Sequence, residues 1–145
     1  MKRIGIIGSR RRTSANDFNA CSEAFMHIYQ HGDWIVSGGC KTGGDEFAHR
    51  LHKKHCTPYL EFPANWPRYR NGAGFIRNTD IAEHSDYLIA VLEDDTGGAY
   101  DTVKKFRKKF EDKDGEILYP VLPKVLILIY PSEIKTEYFG ADRDI

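Results

Sequence analysis

The chain has 145 residues, 41% of them hydrophobic and 12% aromatic, with 21 Lys and Arg balancing 21 Asp and Glu. That is one domain's worth of ordinary globular chain, able to bury about two-thirds of its unfolded surface around one core, and it excludes disorder, collagen-like repeats and coiled coil. Zero net charge supplies no global attraction for nucleic acid or an anionic membrane, so any anion site must be built locally. No apolar run approaches the roughly 20 residues that a bilayer crossing needs. The longest strong run is Val125 to Tyr130, and the Met-Lys-Arg start lacks the apolar stretch of a signal peptide. A soluble, cytoplasmic, single-domain protein over residues 1–145 is expected. Cys21, Cys40 and Cys56 are too few for a disulfide scaffold and are expected as reduced thiols.

Arg3 to Gly8 is an apolar run without polar alternation, which suits a central strand buried on both faces. After Gly8-Ser9-Arg10, Thr13 or Ser14 can cap a helix whose Phe18, Cys21, Phe25 and Ile28 recur at spacings of three and four, until His31-Gly32 closes it. Trp34 to Val36 is a second apolar run. It leads into Ser37-Gly38-Gly39-Cys40-Lys41-Thr42-Gly43-Gly44-Asp45 and then a helix with Phe47, Ala48 and Leu51 inward. Tyr59 to Phe62 predicts a third short strand, followed by an unusually polar loop from Pro63 to Gly74. Ile76 to Glu83 reads as a short helix, Tyr87 to Leu92 as a buried strand, and Glu93 to Gly98 as a turn carrying three acids and two glycines.

The helix after that turn puts Ala99, Val103, Phe106 and Phe110 on one face and Lys104, Lys105, Arg107, Lys108 and Lys109 on the other. Val125 to Tyr130 is the last strand, and Pro131 to Ile145 reads as a terminal helix or loose tail. Strands alternating with helices define the expected fold class: α/β, a Rossmann-like three-layer sandwich. Its mostly parallel sheet of about five strands carries helices on both faces.

In an open α/β sheet the ligand crevice lies beyond the carboxyl ends of the strands, where strand order reverses. The loops Gly8 to Arg12, Ser37 to Gly44 and Glu93 to Gly98 all leave strand carboxyl ends and all bear glycine. Glycine lets backbone approach a ligand, and the helix start that follows offers free N–H groups and partial positive charge to a phosphate or carboxylate. Up to three helix starts are thus expected around one pocket. Gly5-Ile6-Ile7-Gly8 is not G-x-G-x-x-G, and Lys41-Thr42 lacks the spacing of a Walker loop, so a standard dinucleotide or kinase-type site is not expected.

Four segments in order resemble the motif series of the SLOG superfamily. They are Ile6-Ile7-Gly8-Ser9-Arg10, Val36 to Ala48, Gly74-Phe75-Ile76-Arg77-Asn78, and Asp86 to Val91 with Gly97-Gly98. That superfamily groups the YspA-like proteins, the lonely-guy phosphoribohydrolases and the core of the DNA-processing protein A family. The likeness is to the small YspA-like branch and covers about residues 3 to 110. It implies binding of a nucleotide or nucleotide-derived small molecule at the sheet's carboxyl edge. Gly8, Ser9 and Arg10 would meet phosphate or ribose, and Ser37, Gly38 and Gly39 would form a backbone wall, with Cys40, Thr42 and Gly43 in the same loop. Asp45 would brace that loop or reach a ribose hydroxyl. Arg77 and Asn78 suit an anionic ligand and its hydrogen-bonding edge, and Gly97 and Gly98 open the last helix toward it.

In the phosphoribohydrolases the fourth loop reads P-G-G-x-G-T-x-x-E, with the glutamate assisting glycosidic cleavage. Here Thr102 stands where that glutamate would fall. Asp101 is one residue early, about 100° around the helix, and is the candidate catalytic acid only if the loop is shifted.

His49, His52, His55 and Cys56 cluster in sequence, but only His49 and His52 share a helix face and lysines lie between them. No metal site is assigned, and no cofactor is implied. Trp66-Pro67-Arg68-Tyr69-Arg70-Asn71 interleaves aromatics with arginines, as a lid over a nucleotide or the edge of a single-strand track would. The leading expectation is therefore a binder that senses or sequesters a nucleotide-like small molecule. An N-glycosidic hydrolase using Asp101 or Glu93 is second. A single-stranded DNA binder using Arg68, Arg70 and the Lys104 to Lys109 face is third, with zero net charge arguing against nucleic acid. Exposed helix faces are compatible with a homo-oligomer, and no membrane partner is expected.

Overall fold

The computed structural model describes residues 1–118, 120 and 122–140. In chain order it contains β1 (Arg3–Gly8), α1 (Ala15–Ile28), β2 (Trp34–Ser37), α2 (Gly44–His55), β3 (Tyr59–Glu61) and α3 (Trp66–Tyr69). A 3₁₀ turn (Arg70–Gly72) follows, then α4 (Ala73–His84), β4 (Tyr87–Val91), α5 (Gly97–Lys108), β5 (Lys124–Ile129) and β6 (Ile134–Phe139). The six strands form one sheet in the order β3-β2-β1-β4-β5-β6. The first five run parallel, and β6 pairs antiparallel with β5 in a register that sets Ile127 opposite Thr136.

The unpatterned apolar strands follow from burial on both sides. Ile4, Ile6, Ile35, Ile89 and Ile127 point to one face, where Cys21 and Phe25 of α1 and Phe47 and Leu51 of α2 cover them. Ile7, Val36, Leu88, Ala90 and Leu126 point to the other, under Ile81 and Ala82 of α4 and Val103 and Phe106 of α5. At the opposite edge from the crevice, Asp86 ties three strands together: its carboxylate accepts the Arg3 amide at 2.8 Å and Lys124 Nζ at 3.1 Å.

Three expectations need correction. The sheet has six strands rather than about five, because Ile134–Phe139, read as terminal helix or tail, is an edge strand. Its residues are mostly polar or exposed, as edge strands tend to be, so no apolar run announced it. A tight turn commits it, with the Tyr130 amide donating to the Glu133 carbonyl at 2.8 Å, and Phe139 stacks on Phe110 with ring centroids 4.5 Å apart. Residues 141–145 of the expected tail lie outside the described residues. The polar loop from Pro63 to Gly74 contains α3 and the 3₁₀ turn, and α4 begins at Ala73, earlier than the expected Ile76. Among the described residues no helix is long and apolar enough to cross a membrane.

Candidate functional site

The strand order reverses between β1 and β4, where the chain has filled one side of the sheet and begins the other. Loops leaving these neighbouring strands must diverge, and a crevice opens between them. A hollow of about 550 Å³ lies there, within the range of small-molecule sites, about 300–1,000 Å³.

The β1 loop forms its floor. The Ser9 amide donates to the Val91 carbonyl at 2.8 Å, so the chain stays zipped to β4 one residue past the strand. Beyond it Arg10 and Arg11 are exposed and line the hollow, whereas Arg12 turns back. Arg12 Nη1 donates to the carbonyls of Leu92 at 2.6 Å and Ile129 at 3.0 Å, and the guanidinium pairs with Asp17. The triple arginine thus divides into two exposed cations lining the hollow and one structural clamp.

The β2 loop forms a buried polar brace. Ser37, wholly buried, donates to the Ile6 carbonyl at 2.6 Å, and its Oγ lies 3.2 Å from Asp45 Oδ1. Asp45 Oδ2 accepts the Cys40 amide at 3.0 Å and lies 4.0 Å from Arg77 Nη1. Burial pushes the Asp45 carboxyl above its ordinary range, and the Cys40 amide, Arg77, Ser37 and Arg10 offset only part of that. Arg77 Nη1 also donates to the Gly38 carbonyl at 3.0 Å, while its Nε is shielded from solvent without a partner among the described residues.

Gly44 is explained by backbone contact rather than by a ligand. A Cβ there would collide with the backbone of Ile7 and Gly8, so α2 starts pressed against β1.

The β4 loop differs. Among the described residues no side chain caps the N-terminus of α5 at Gly97, and nothing beyond the adjoining chain and the helix's own backbone lies within 4 Å of a Cβ added at Gly97 or Gly98. Gly97 has φ +86°, a conformation that favours glycine. Asn78 holds this helix start in place: its Nδ2 donates to the Gly98 carbonyl at 3.0 Å and to Asp101 Oδ2 at 3.1 Å. A helix of twelve residues therefore presents unpaired amides and the positive end of its dipole to the hollow.

Of the residues singled out in the sequence, Gly8, Ser9, Arg10, Cys40, Asp45, Arg77, Asn78, Gly97 and Gly98 line this hollow. Ser37, Gly38, Gly39, Thr42 and Gly43 do not; Ser37 and Gly38 stand behind Asp45 and Arg77 as their support, and Gly39 borders a second recess with Glu61. Of the up to three helix starts expected around one pocket, that of α5 opens on the hollow among the described residues. Helix α1 closes its own N-terminus with a capping box between Ser14 and Asp17, and α2 is pressed on β1.

Asp101 is not among the residues lining the hollow, and its carboxylate is held by Asn78 and by Lys105 at 2.8 Å. Thr102 does line it, together with Glu93 and Asp94.

The basic face of α5 is largely occupied. Arg107 pairs with Glu137, Lys105 with Asp101, and Lys109 Nζ donates to the carbonyls of Ala82 and Ser85 at 2.7 Å each. His49 and His52 stay adjacent, with ring centroids 6.0 Å apart and both against Tyr59, whereas His55 faces Phe25 and Tyr29.

Sequence reasoning missed Phe75 and Arg11 as lining residues. The available signal for Phe75 was phase, since the buried stripe of α4 is Ala73, Asn78, Ile81 and Ala82, and Phe75 falls outside it. Comparison of the chain with models of protein families, with curated proteins and with solved structures finds no match.

Proposed function

We propose that the protein binds a nucleotide or nucleotide-derived small molecule, phosphate inward, in the hollow at the carboxyl edge of the sheet. The observation that carries this reading is the open start of α5: unpaired amides at Gly97 and Gly98 face a hollow that also takes Arg10, Arg11 and Arg77. Backbone amides at a helix start suit phosphate oxygens, and guanidinium groups add charge and paired donors. Ser9 and Asp45 offer polar groups of the kind a ribose needs, and the local cations answer the problem set by zero net charge.

The same reading treats the chain as a SLOG-type domain of the YspA-like branch with a Rossmann-like three-layer sandwich. Two features support this. The four resembling segments fall on the β1 loop, the β2 loop, α4 and the β4 loop, all bordering one hollow. The parallel strands also follow the order 3-2-1-4-5 of doubly wound nucleotide-binding sheets, with β6 added antiparallel at the edge. The role is sensing or sequestration, since the acid expected for hydrolysis is replaced by Thr102 and Asp101 is engaged elsewhere.

A thermal-shift panel of nucleotides and ADP-ribose-like compounds tests the proposal. A ligand at about a hundred times its Kd is expected to raise Tm by roughly 5–10 °C, and Arg10→Ala is expected to remove most of that rise while leaving the unliganded Tm unchanged. Indifference of the wild-type protein to the whole panel would count against the reading.

A further inference from the structure

The outer wall of the hollow is aromatic, and phosphate binding leaves it unused. Trp66 opens α3 and Phe75 lies in the first turn of α4; both line the hollow, yet they are 50% and 58% exposed. Large rings are ordinarily buried, and two of them presented to water beside a polar cavity mark a contact surface. The far end of the Trp66 indole lies over Gly74, where a Cβ would meet it at 3.7 Å, and Lys105 Nζ stands 5.4 Å from the centre of the Phe75 ring.

The chain between the two rings is built to hold a position. Asn65 Oδ1 accepts the Arg68 amide at 3.3 Å, and Arg70 adopts φ 51° and ψ −127°, a combination that residues with side chains rarely take. Asn78, only 7% exposed, lines the same hollow and uses its Nδ2 on α5.

Resting on the phosphate reading, the geometry points to a mononucleotide as ligand class rather than a sugar phosphate: a flat heteroaromatic base lies against Trp66 and Phe75 while its phosphate meets the start of α5. Every base has a π-face for the rings, so stacking supplies affinity without strict sequence of atoms. Asn78 Oδ1 is the acceptor for the N–H edge of the base. One site then reads both ends of the ligand, charge at the glycines and planarity at the aromatic wall.

The test compares AMP and GMP with ribose 5-phosphate on the full chain. Trp34, the other tryptophan, begins β2 at the far end of the sheet, so a Trp34→Phe background isolates Trp66 fluorescence. A nucleotide is expected to quench that emission and to bind at least about 10-fold tighter than ribose 5-phosphate by calorimetry. Trp66→Ala is expected to erase this advantage, and Trp66→Phe to restore most of it, with ribose 5-phosphate affinity unchanged throughout. Equal affinity for nucleotide and ribose 5-phosphate, or a parallel loss of both in Trp66→Ala, would overturn the stacking inference and leave the phosphate site standing. No binding of any of the three to wild-type protein would remove the phosphate reading as well.

Discussion

Glycines at this sheet edge do two different jobs, and substitution by alanine separates them. Gly44 allows α2 to touch the backbone of β1, so Gly44→Ala forces two main chains apart and is expected to destabilise the fold by about 2 kcal/mol or more. Gly98 has open space around it and an ordinary φ, so Gly98→Ala is expected to leave stability unchanged or raise it by up to about 1 kcal/mol, because it restricts the unfolded chain. The added methyl stands at the lip of the hollow, and nucleotide affinity is expected to fall. Denaturant unfolding and ligand titration on the two variants check this. Equal destabilisation by both, or unaltered binding in Gly98→Ala, would mean that the α5 glycines serve packing and not a ligand.

Among the elements, α5 works at both ends. Its N-terminus is left open toward the hollow, while just past its C-terminus Lys109 reaches back to close α4, donating to the Ala82 and Ser85 carbonyls beside the Phe106 ring. Burial of the ammonium brings its pKa down to about 8, against opposing pull from Asp86 and Glu83. The sign follows from proton counting. Between about pH 8 and the ordinary lysine value the unfolded chain keeps a proton that the folded chain has released, so this group's contribution to stability rises with pH across that window and is lost as pH falls through 8. A ¹³Cε resonance of Lys109 with its midpoint near pH 8 would bear this out, and a midpoint near the ordinary value would contradict it.

At the scale of the whole molecule, most of the sheet could be read from the chain because parallel strands buried on two faces leave uninterrupted apolar runs such as Ile4 to Ile7 and Leu88 to Val91. Strand β6 could not, since an edge strand with one partner needs little apolar character and is fixed by the turn at Tyr130–Glu133 and by Phe139 meeting Phe110. The site divides in the same way. Glycine and arginine in strand-end loops were legible because their chemistry is local. Which arginine lines the hollow and which is a clamp was not, because Arg12 finds its carbonyls just past β4 and on β5, 80 and 117 residues away. Ser37 read as a wall residue for the same reason; its partners, Ile6 and Asp45, meet only once the strands are paired.

The claim on which the account depends is that the amides at the start of α5 receive a phosphate. Titration of ¹⁵N-labelled protein with AMP, followed by amide chemical shifts, tests it most directly. Saturable movement centred on Gly97, Gly98 and Ala99, with Ser9 and Arg10 following and all of it sharply reduced in Arg10→Ala, is the predicted result. Movement confined to the Lys104–Lys108 surface, or none at concentrations up to several millimolar, would contradict it.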